Sequence, residues 1–362
     1  MYNYNIDNKF LAKYENNLQQ IFLYVNDECQ LRCKHCLVKP NLDFKFKKEF
    51  EIEKLKKLLV DFKKMWVVKL TILWWEPTLY SNLTELIKFS KDIGFEFVTI
   101  DTNWLFNSDL LDNNSFKKLD DISFSIDWYN NKTHGFLRGD WVLTKTLTNL
   151  KKAIKKWYNV SVTTCIHRGL INYEEENLDL RYKDLKETIL FLENFWISTL
   201  NFHVLLPHWM PISIWSEWTD ISIKEWLKIK LFLLKIKKDL KIELRIPTHF
   251  INREEYNKNK DFYDFCTLKI SERVLLTVDW MIRTCAGFLA SKFHVATFDD
   301  NNIKWNNDEK INEYGWLDSK CEWCPYQFKD KNNWDLIPLC FSLKPNQNEF
   351  IWVNKLKWDL KQ

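Results

Sequence analysis

Read from the N-terminus, the chain alternates between two hydrophobic periods. Short apolar or β-branched runs occur near residues 20–25 (QIFLYV), 67–73 (VVKLTIL), 95–101 (FEFVTID), 121–127 (DISFSID), 159–166 (NVSVTTCI) and 197–206 (ISTLNFHVLL). Runs of this length and composition read as buried strands. Between them lie EIEKLKKLLVDFKKM, LTELIKFSKDI, TKTLTNLKKAIKK and LRYKDLKETILFLENF, with apolar residues three and four apart. That spacing gives each stretch one apolar face as a helix. Strands alternating with helices predict parallel pairing, because a parallel neighbour needs a long crossover, and the crossovers are right-handed. A further helix, SIKEWLKIKLFLLKIKKDL, and a strand, KIELRIP, close this region near residue 247. Beyond the interval 248–262 the texture changes to cysteines, short strands such as RVLLTVD, and loops rich in Asn and Asp. The pattern predicts an α/β unit with six parallel strands over 18–247, followed by a smaller cysteine-rich unit over 262–342.

Composition narrows the class. At 362 residues the chain has room for one large domain or two ordinary ones. Its 46% hydrophobic content is that of a globular protein, and 53 basic against 49 acidic residues leave a net charge of +4. Charge this balanced gives no electrostatic case for nucleic acid. No apolar run is long enough to span a bilayer, and the opening MYNYNIDNKFLAKYENN lacks the basic and apolar regions of a signal peptide. We therefore expect a cytoplasmic protein without a membrane partner, its nine cysteines serving as reduced ligands or nucleophiles.

The cysteines change the picture most. NDECQLRCKHCLVKP puts Cys29, Cys33 and Cys36 in C-x3-C-x2-C spacing, directly after the first strand. Three thiolates on one loop can hold three irons of a cubane cluster and leave the fourth open to a ligand. A zinc loop is the alternative; it wants a fourth ligand, and His35 sits awkwardly between two others.

This loop resembles the signature of the radical S-adenosyl-L-methionine (SAM) enzymes, which follows the first strand of a partial (βα)6 parallel barrel. The resemblance runs from residue 18 to about 340. It implies a [4Fe–4S] cluster on the three cysteines, with SAM chelating its open iron and being cleaved to a 5′-deoxyadenosyl radical that takes hydrogen from the substrate. The family's second signature is Gly-Gly-Glu-Pro at the end of strand two, where the backbone lies against the methionine part of SAM. Here that place holds Trp74, Trp75, Glu76 and Pro77. The resemblance further implies cofactor contacts by Asn103 after strand three, Ser125 and Asp127 after strand four, and Arg138 in HGFLRGD. For Asn103 and Asp127, turn capping is an equal alternative. His203 and His208 lie near strand six, where they could reach a substrate.

The C-terminal cysteines resemble the auxiliary-cluster domains of the same superfamily, SPASM and the shorter twitch, which open with C-x(9–15)-G-x4-C. Cys266, Trp280 and Cys285 fit that spacing, and Cys321 and Cys324 supply the later C-x2-C in CEWCPY. Four thiolates can saturate a second [4Fe–4S] cluster. The lack of the further SPASM cysteines, with only Cys340 remaining, makes the resemblance closer to twitch. A structural zinc site is the alternative there, and Cys165 in strand five reads as a buried apolar thiol.

One count does not fit a barrel full of tight turns. Glycine numbers 6 and tryptophan 19, where an average usage of about 7% gives roughly 25 glycines for this length. Trp74, Trp75, Trp104, Trp128, Trp157 and Trp280 all stand where a family motif or a helix end calls for glycine. This pattern is what a code reading UGA as glycine gives when it is translated as tryptophan; Trp226, inside an amphipathic helix, reads as authentic. The expected function is a radical SAM oxidoreductase or maturase with two [4Fe–4S] clusters, reduced by a ferredoxin or flavodoxin and acting on a peptide or small molecule. Only 28 residues precede Cys29, which weighs against a self-contained N-terminal peptide-recognition domain. The competing class is a non-catalytic iron–sulfur electron carrier or zinc-binding protein.

Overall fold

Each of the first six apolar runs becomes a strand: β1 (Gln20–Leu23), β2 (Lys69–Ile72), β3 (Phe97–Thr102), β4 (Asp121–Ser125), β5 (Val160–Ile166) and β6 (Thr199–Val204). KIELRIP adds β7 (Glu243–Arg245), so the parallel series has seven members rather than six. The computed structural model describes residues 17–36, 47–106, 108–204, 221, 223–247, 250–252, 272–284, 294–299, 301–306 and 336–338. Neighbours in sequence are neighbours in space from β1 to β7, every pair parallel. Helices α1 (Ile52–Lys64), α2 (Leu83–Asp92), α3 (Asn131–Arg138), α4 (Val142–Lys155), α5 (Lys183–Glu193) and α6 (Ile223–Ile236) supply the crossovers. The β3–β4 connection instead uses short 3-10 turns.

Alternation along the strands sorts the two faces. Leu70, Ile72, Val98, Ile100, Ile122 and Phe124 are fully buried and join Leu55, Leu58, Leu59 and Phe62 of α1 in one core. Burying such side chains stabilises the fold by roughly 1.5–3 kcal/mol each. The residues between them, among them Thr71, Thr99, Asp101, Ser123 and Thr163, point to the inner face of the curved sheet.

The sheet continues on the other side of β1. β9 (Arg273–Leu276) pairs with β1 in parallel, and β10 (Met281–Arg283), β11 (Ala296–Asp299) and β12 (Asn302–Trp305) extend it as an antiparallel meander. The described strands 273–305 thus share one eleven-stranded sheet with β1–β7. β8 (Phe250–Asn252) and β13 (Leu336–Pro338) form a separate pair.

Backbone conformation singles out the tryptophans. Trp66, Trp74, Trp75, Trp104, Trp157, Trp196 and Trp280 all have φ between 44° and 73°. Among the described residues only Asn301, Gly94 and Gly139 share positive φ with them. Three of the seven end helices: Trp66 follows α1, Trp157 follows α4 and Trp196 follows α5. At each, the amide of the tryptophan reaches back to the last turn, as in Trp66 N–H to Lys63 O at 3.0 Å and Val67 N–H to Phe62 O at 3.3 Å. Trp157 and Tyr158 repeat that pair on Ile154 and Ala153. The end of α2 has the same geometry built on glycine: Gly94 bonds Lys91 and Phe95 bonds Ser90. This is the helix stop in which one residue turns left-handed, a conformation that glycine alone adopts without Cβ strain. Trp128 differs, having no positive φ.

Candidate cofactor site

The cysteine loop leaves β1 at the rim where parallel barrels carry their chemistry. Asn26 pins it by donating its side-chain amide to Glu76 O at 3.0 Å, while Glu76 N–H donates to Glu28 O at 2.9 Å. Cys36 N–H donates to Cys33 O at 3.1 Å, folding Cys33 and Cys36 into one turn. Cys29 Sγ accepts from Leu31 N–H at 3.3 Å and from the Asn103 amide at 3.5 Å. Leu31, Leu105, Val142 and the Trp75 ring pack around Cys29 and Cys33. The three thiols act on one another electrostatically, and burial pushes Cys29 up to about 12 and Cys33 to about 11. Thiolates at such a site need a cation to hold them, and donors aimed at sulfur are what a thiolate-ligated metal group uses. The donor set fits an iron–sulfur cluster held by Cys29, Cys33 and Cys36.

Glu76 is fully buried and ties three segments together. Its Oε1 accepts from Thr78 N–H at 3.1 Å and from the Thr78 and Thr102 hydroxyls, each at 2.5 Å; Oε2 accepts from Asn103 N–H at 2.8 Å. Burial raises its pKa, and the hydrogen bonds oppose that shift. The carboxylate therefore fixes the ends of β2 and β3, and with them the Asn103 amide on Cys29. Trp74 and Trp75 flank it, their rings 5.0 and 6.4 Å from that of Tyr24, and both indole N–H groups are buried without a partner among the described residues. Trp104 is buried against Phe124, the rings 3.8 Å apart and within 4° of parallel.

Across the rim, Asp127 is fully buried. Its Oδ2 accepts from Arg138 Nε at 2.5 Å, and its Oδ1 from Arg138 at 3.2 Å and Cys165 N–H at 2.9 Å. Burial opposes the charge on Asp127, but the Arg138 guanidinium prevails and holds the carboxyl well below its ordinary range. Arg138, which the resemblance implies as a cofactor contact, is paired with Asp127. His134 Nδ1 accepts from Asp127 N–H at 3.2 Å, and His35 Nε2 lies 3.8 Å from Asp127 Oδ2. Burial keeps these rings neutral, lowering His35 to about 3 and both His134 and His167 to about 4. His35, Asp127 and Cys165 place their ligand atoms within 4.8 Å of one another. His203 of β6 is exposed, and Asp127 and Arg138 act on it electrostatically. Ser125 ends β4 half-buried.

Some of this grouping went unread in the sequence. Cys165 is the buried thiol its strand position predicts, but its place beside Asp127 is not legible in the pattern, nor are the buried rings of His134 and His167. The signal available was register: Cys165 pairs with His203 across β5 and β6, at the strand ends where the cysteine loop also sits. Cys266, Cys285, Cys321, Cys324, Cys340 and His208 lie outside the described residues. Trp280 is described, at φ 63° in the β9–β10 turn.

A cysteine loop at the strand-end rim of an open parallel barrel defines a class, and comparison with known proteins names it. Residues 23–180 match the family model of the Radical SAM superfamily, so this chain carries a radical SAM superfamily domain. That superfamily uses a [4Fe–4S] cluster and SAM. The chain is 25% identical over 196 residues to GTP 3′,8-cyclase of Aquifex aeolicus, covering 53% of this chain and 61% of that one. It is 23% identical over 288 residues to GTP 3′,8-cyclase of Peptoclostridium acidaminophilum, covering 77% and 84%. The match thus spans under two thirds of the Aquifex relative. Among solved structures, Streptococcus suis SuiB bound to precursor peptide SuiA superposes with a TM-score of 0.62 at 13% identity, covering 86% of this chain and 71% of that one. Native anSMEcpe with bound AdoMet gives 0.57 at 14%, covering 82% and 81%. At those identities the likeness shows the fold alone. Among the described residues, no helix is long and apolar enough to cross a membrane.

Proposed function

We propose that this chain is a radical SAM enzyme acting on a peptide or small molecule. The observation that carries the reading is the pair of donors on Cys29 Sγ, one from the loop and one from Asn103, with Asn103 itself held by Glu76. When bound, the cluster and SAM supply a 5′-deoxyadenosyl radical that abstracts hydrogen from the substrate. The chain's own part is to hold the cysteine loop against β2 and β3, to keep Asp127 ionised against Arg138, and to exclude water with the apolar residues around Cys29. A ferredoxin or flavodoxin supplies the electron, and Cys266, Cys285, Cys321 and Cys324 hold an auxiliary cluster. The fold neighbour solved with a precursor peptide supports a peptide substrate, and the cyclase relatives support a small one.

The reading includes glycine in place of most of the tryptophans. A left-handed conformation costs an L-residue roughly 1–2 kcal/mol. Seven such tryptophans cost on the order of 7–14 kcal/mol, as much as the whole net stability of a typical protein. Gly94 supplies the internal reference for the glycine each of those turns prefers. A non-catalytic iron–sulfur or zinc protein is the reading that genuine indoles at 74 and 75 would favour.

The test is anaerobic reconstitution of the chain and of its Cys29→Ala/Cys33→Ala/Cys36→Ala variant. The parent should bind iron and cleave SAM with dithionite. The variant should lose one cluster and all SAM cleavage. Zinc in place of iron, with SAM left intact, removes the enzyme reading. UGG codons at Trp74 and Trp75 remove the recoding.

A further inference from the structure

The inner face of the strands is polar, where an ordinary parallel barrel is filled with branched apolar side chains. Gln20 and Thr99 both donate to Thr71 Oγ1 at 3.0 Å, and the Ser123 and Thr163 hydroxyls meet at 3.0 Å. Two carboxylates stand among them. Asp101 follows Thr99 by two residues on β3, so it shares the inner face, just below the Thr102–Asn103 rim. The register pairs Thr99 with Asp121 and Asp101 with Ser123, which makes Asp101 and Asp121 diagonal neighbours on adjacent strands.

Their surroundings leave negative charge over. Asp121 Oδ2 accepts from Ser161 Oγ at 2.6 Å, but its Oδ1 is buried with no hydrogen-bond partner among the described residues. Lys69 of β2 acts on both carboxylates and Arg245 of β7 on Asp121, and Arg245 is shared with Glu243 at 3.8 Å. Among the described residues, three acids thus face two bases. Asp120, which also acts on Asp121, is engaged by Lys91 at 2.9 Å, and Arg273 of β9 stacks over the Phe22 ring of β1. Burial raises Asp101 to about 7 and Asp121 to about 6, the cost of carboxylates without enough counter-charge. A buried acceptor left unpaired is likewise costly, and a donor arriving with a ligand removes that cost.

The geometry points to a substrate pocket in the barrel lumen whose floor, Asp101 with Asp121, takes a protonated amine or guanidinium of the substrate. The inference rests on the radical SAM reading and supplies its substrate class. With the cation anchored at the floor, a carbon several bonds away lies at the rim beside Asn103 and the cysteine loop. A free amine and a Lys or Arg side chain of a peptide carry the same chemistry.

The test uses the cluster-reconstituted chain with SAM present and four probes followed by calorimetry. These are pentylamine against pentanol, and acetyl-Gly-Lys-Gly-amide against its norleucine counterpart. At least one cationic probe should bind about ten-fold or more tightly than its neutral partner, and which of the two does so separates a free amine from a peptide. Asp101→Asn should weaken that binding by about 10- to 100-fold, the loss of a charge-assisted hydrogen bond. Asp121→Asn should act in the same direction, and neither should change iron content or SAM affinity. Equal binding of charged and neutral probes, no binding of either cation, or an unaffected Asp101→Asn variant overturns the pocket. Failure of the parent chain to bind iron or SAM would instead count against the radical SAM reading.

Discussion

The two ends of the barrel carry the same substitution in opposite settings. At the rim, Trp74, Trp75 and Trp104 crowd the place where the cysteine loop, Glu76 and Asn103 meet. At the far end, Trp66, Trp157 and Trp196 stand 83%, 94% and 86% exposed on helix stops that touch no chemistry. A decayed enzyme could lose its glycines where SAM binds. It has no reason to put indoles in solvent at three helix ends, each in the conformation Gly94 adopts at a fourth. What the six positions share is backbone geometry. The tryptophans follow the turns, whatever the turns are for.

That comparison can be broken from either end. The largest effect belongs to the tryptophan outside the pattern. Trp226 is fully buried inside α6, so Trp226→Gly should destabilise the fold by about 4–6 kcal/mol through a cavity and a mid-helix glycine. Denaturant unfolding measures it, and a neutral outcome would put Trp226 in the same group as the tryptophans of the turns. Next comes the rim. Trp74→Gly with Trp75→Gly should raise SAM affinity about ten-fold or more, since two indoles leave the strand-two turn and relieve overpacking of about 1–3 kcal/mol each. Unchanged affinity by calorimetry would mean that the rings are native and tolerated. Smallest are the far-end sites. Trp66→Gly, Trp157→Gly and Trp196→Gly should each stabilise by about 1–2 kcal/mol and leave SAM affinity alone. A loss of stability at these three would sharpen the question the other way, towards indoles that cover something.

Much of the frame was legible. The six apolar runs are strands, in order and parallel, because a buried strand between amphipathic helices leaves a clear change of period. Less visible was how the chain uses β1. RVLLTVD reads as a short strand, but nothing in its pattern says that it lies parallel to a strand at the opposite end of the sequence. Pairing partners across such a distance are set by the closure of the sheet. The site divides in the same way. Spacing put Cys29, Cys33 and Cys36 on one loop, whereas the Asp127–Arg138 pair, His35, His134 and Cys165 meet only through the register of β4 and β5. Arg138 shows the limit: its motif suggested a cofactor contact, and its ion pair with Asp127 could be read only from the structure.

The pairing of β1 with β9 also sets a timetable for synthesis. β1 hydrogen-bonds to β2 on one edge and to Arg273–Leu276 on the other. The second partner is translated about 250 residues after the first strand, which at about 5–20 residues per second leaves that edge uncovered for roughly 10–50 s. An open strand edge is a template for pairing with other chains. The loop that follows carries the three cysteines, so the nascent chain exposes a sticky edge and three closely spaced thiols together. Production of this protein should therefore depend on reducing conditions and on chaperones that shield the N-terminal half until residue 276 has emerged.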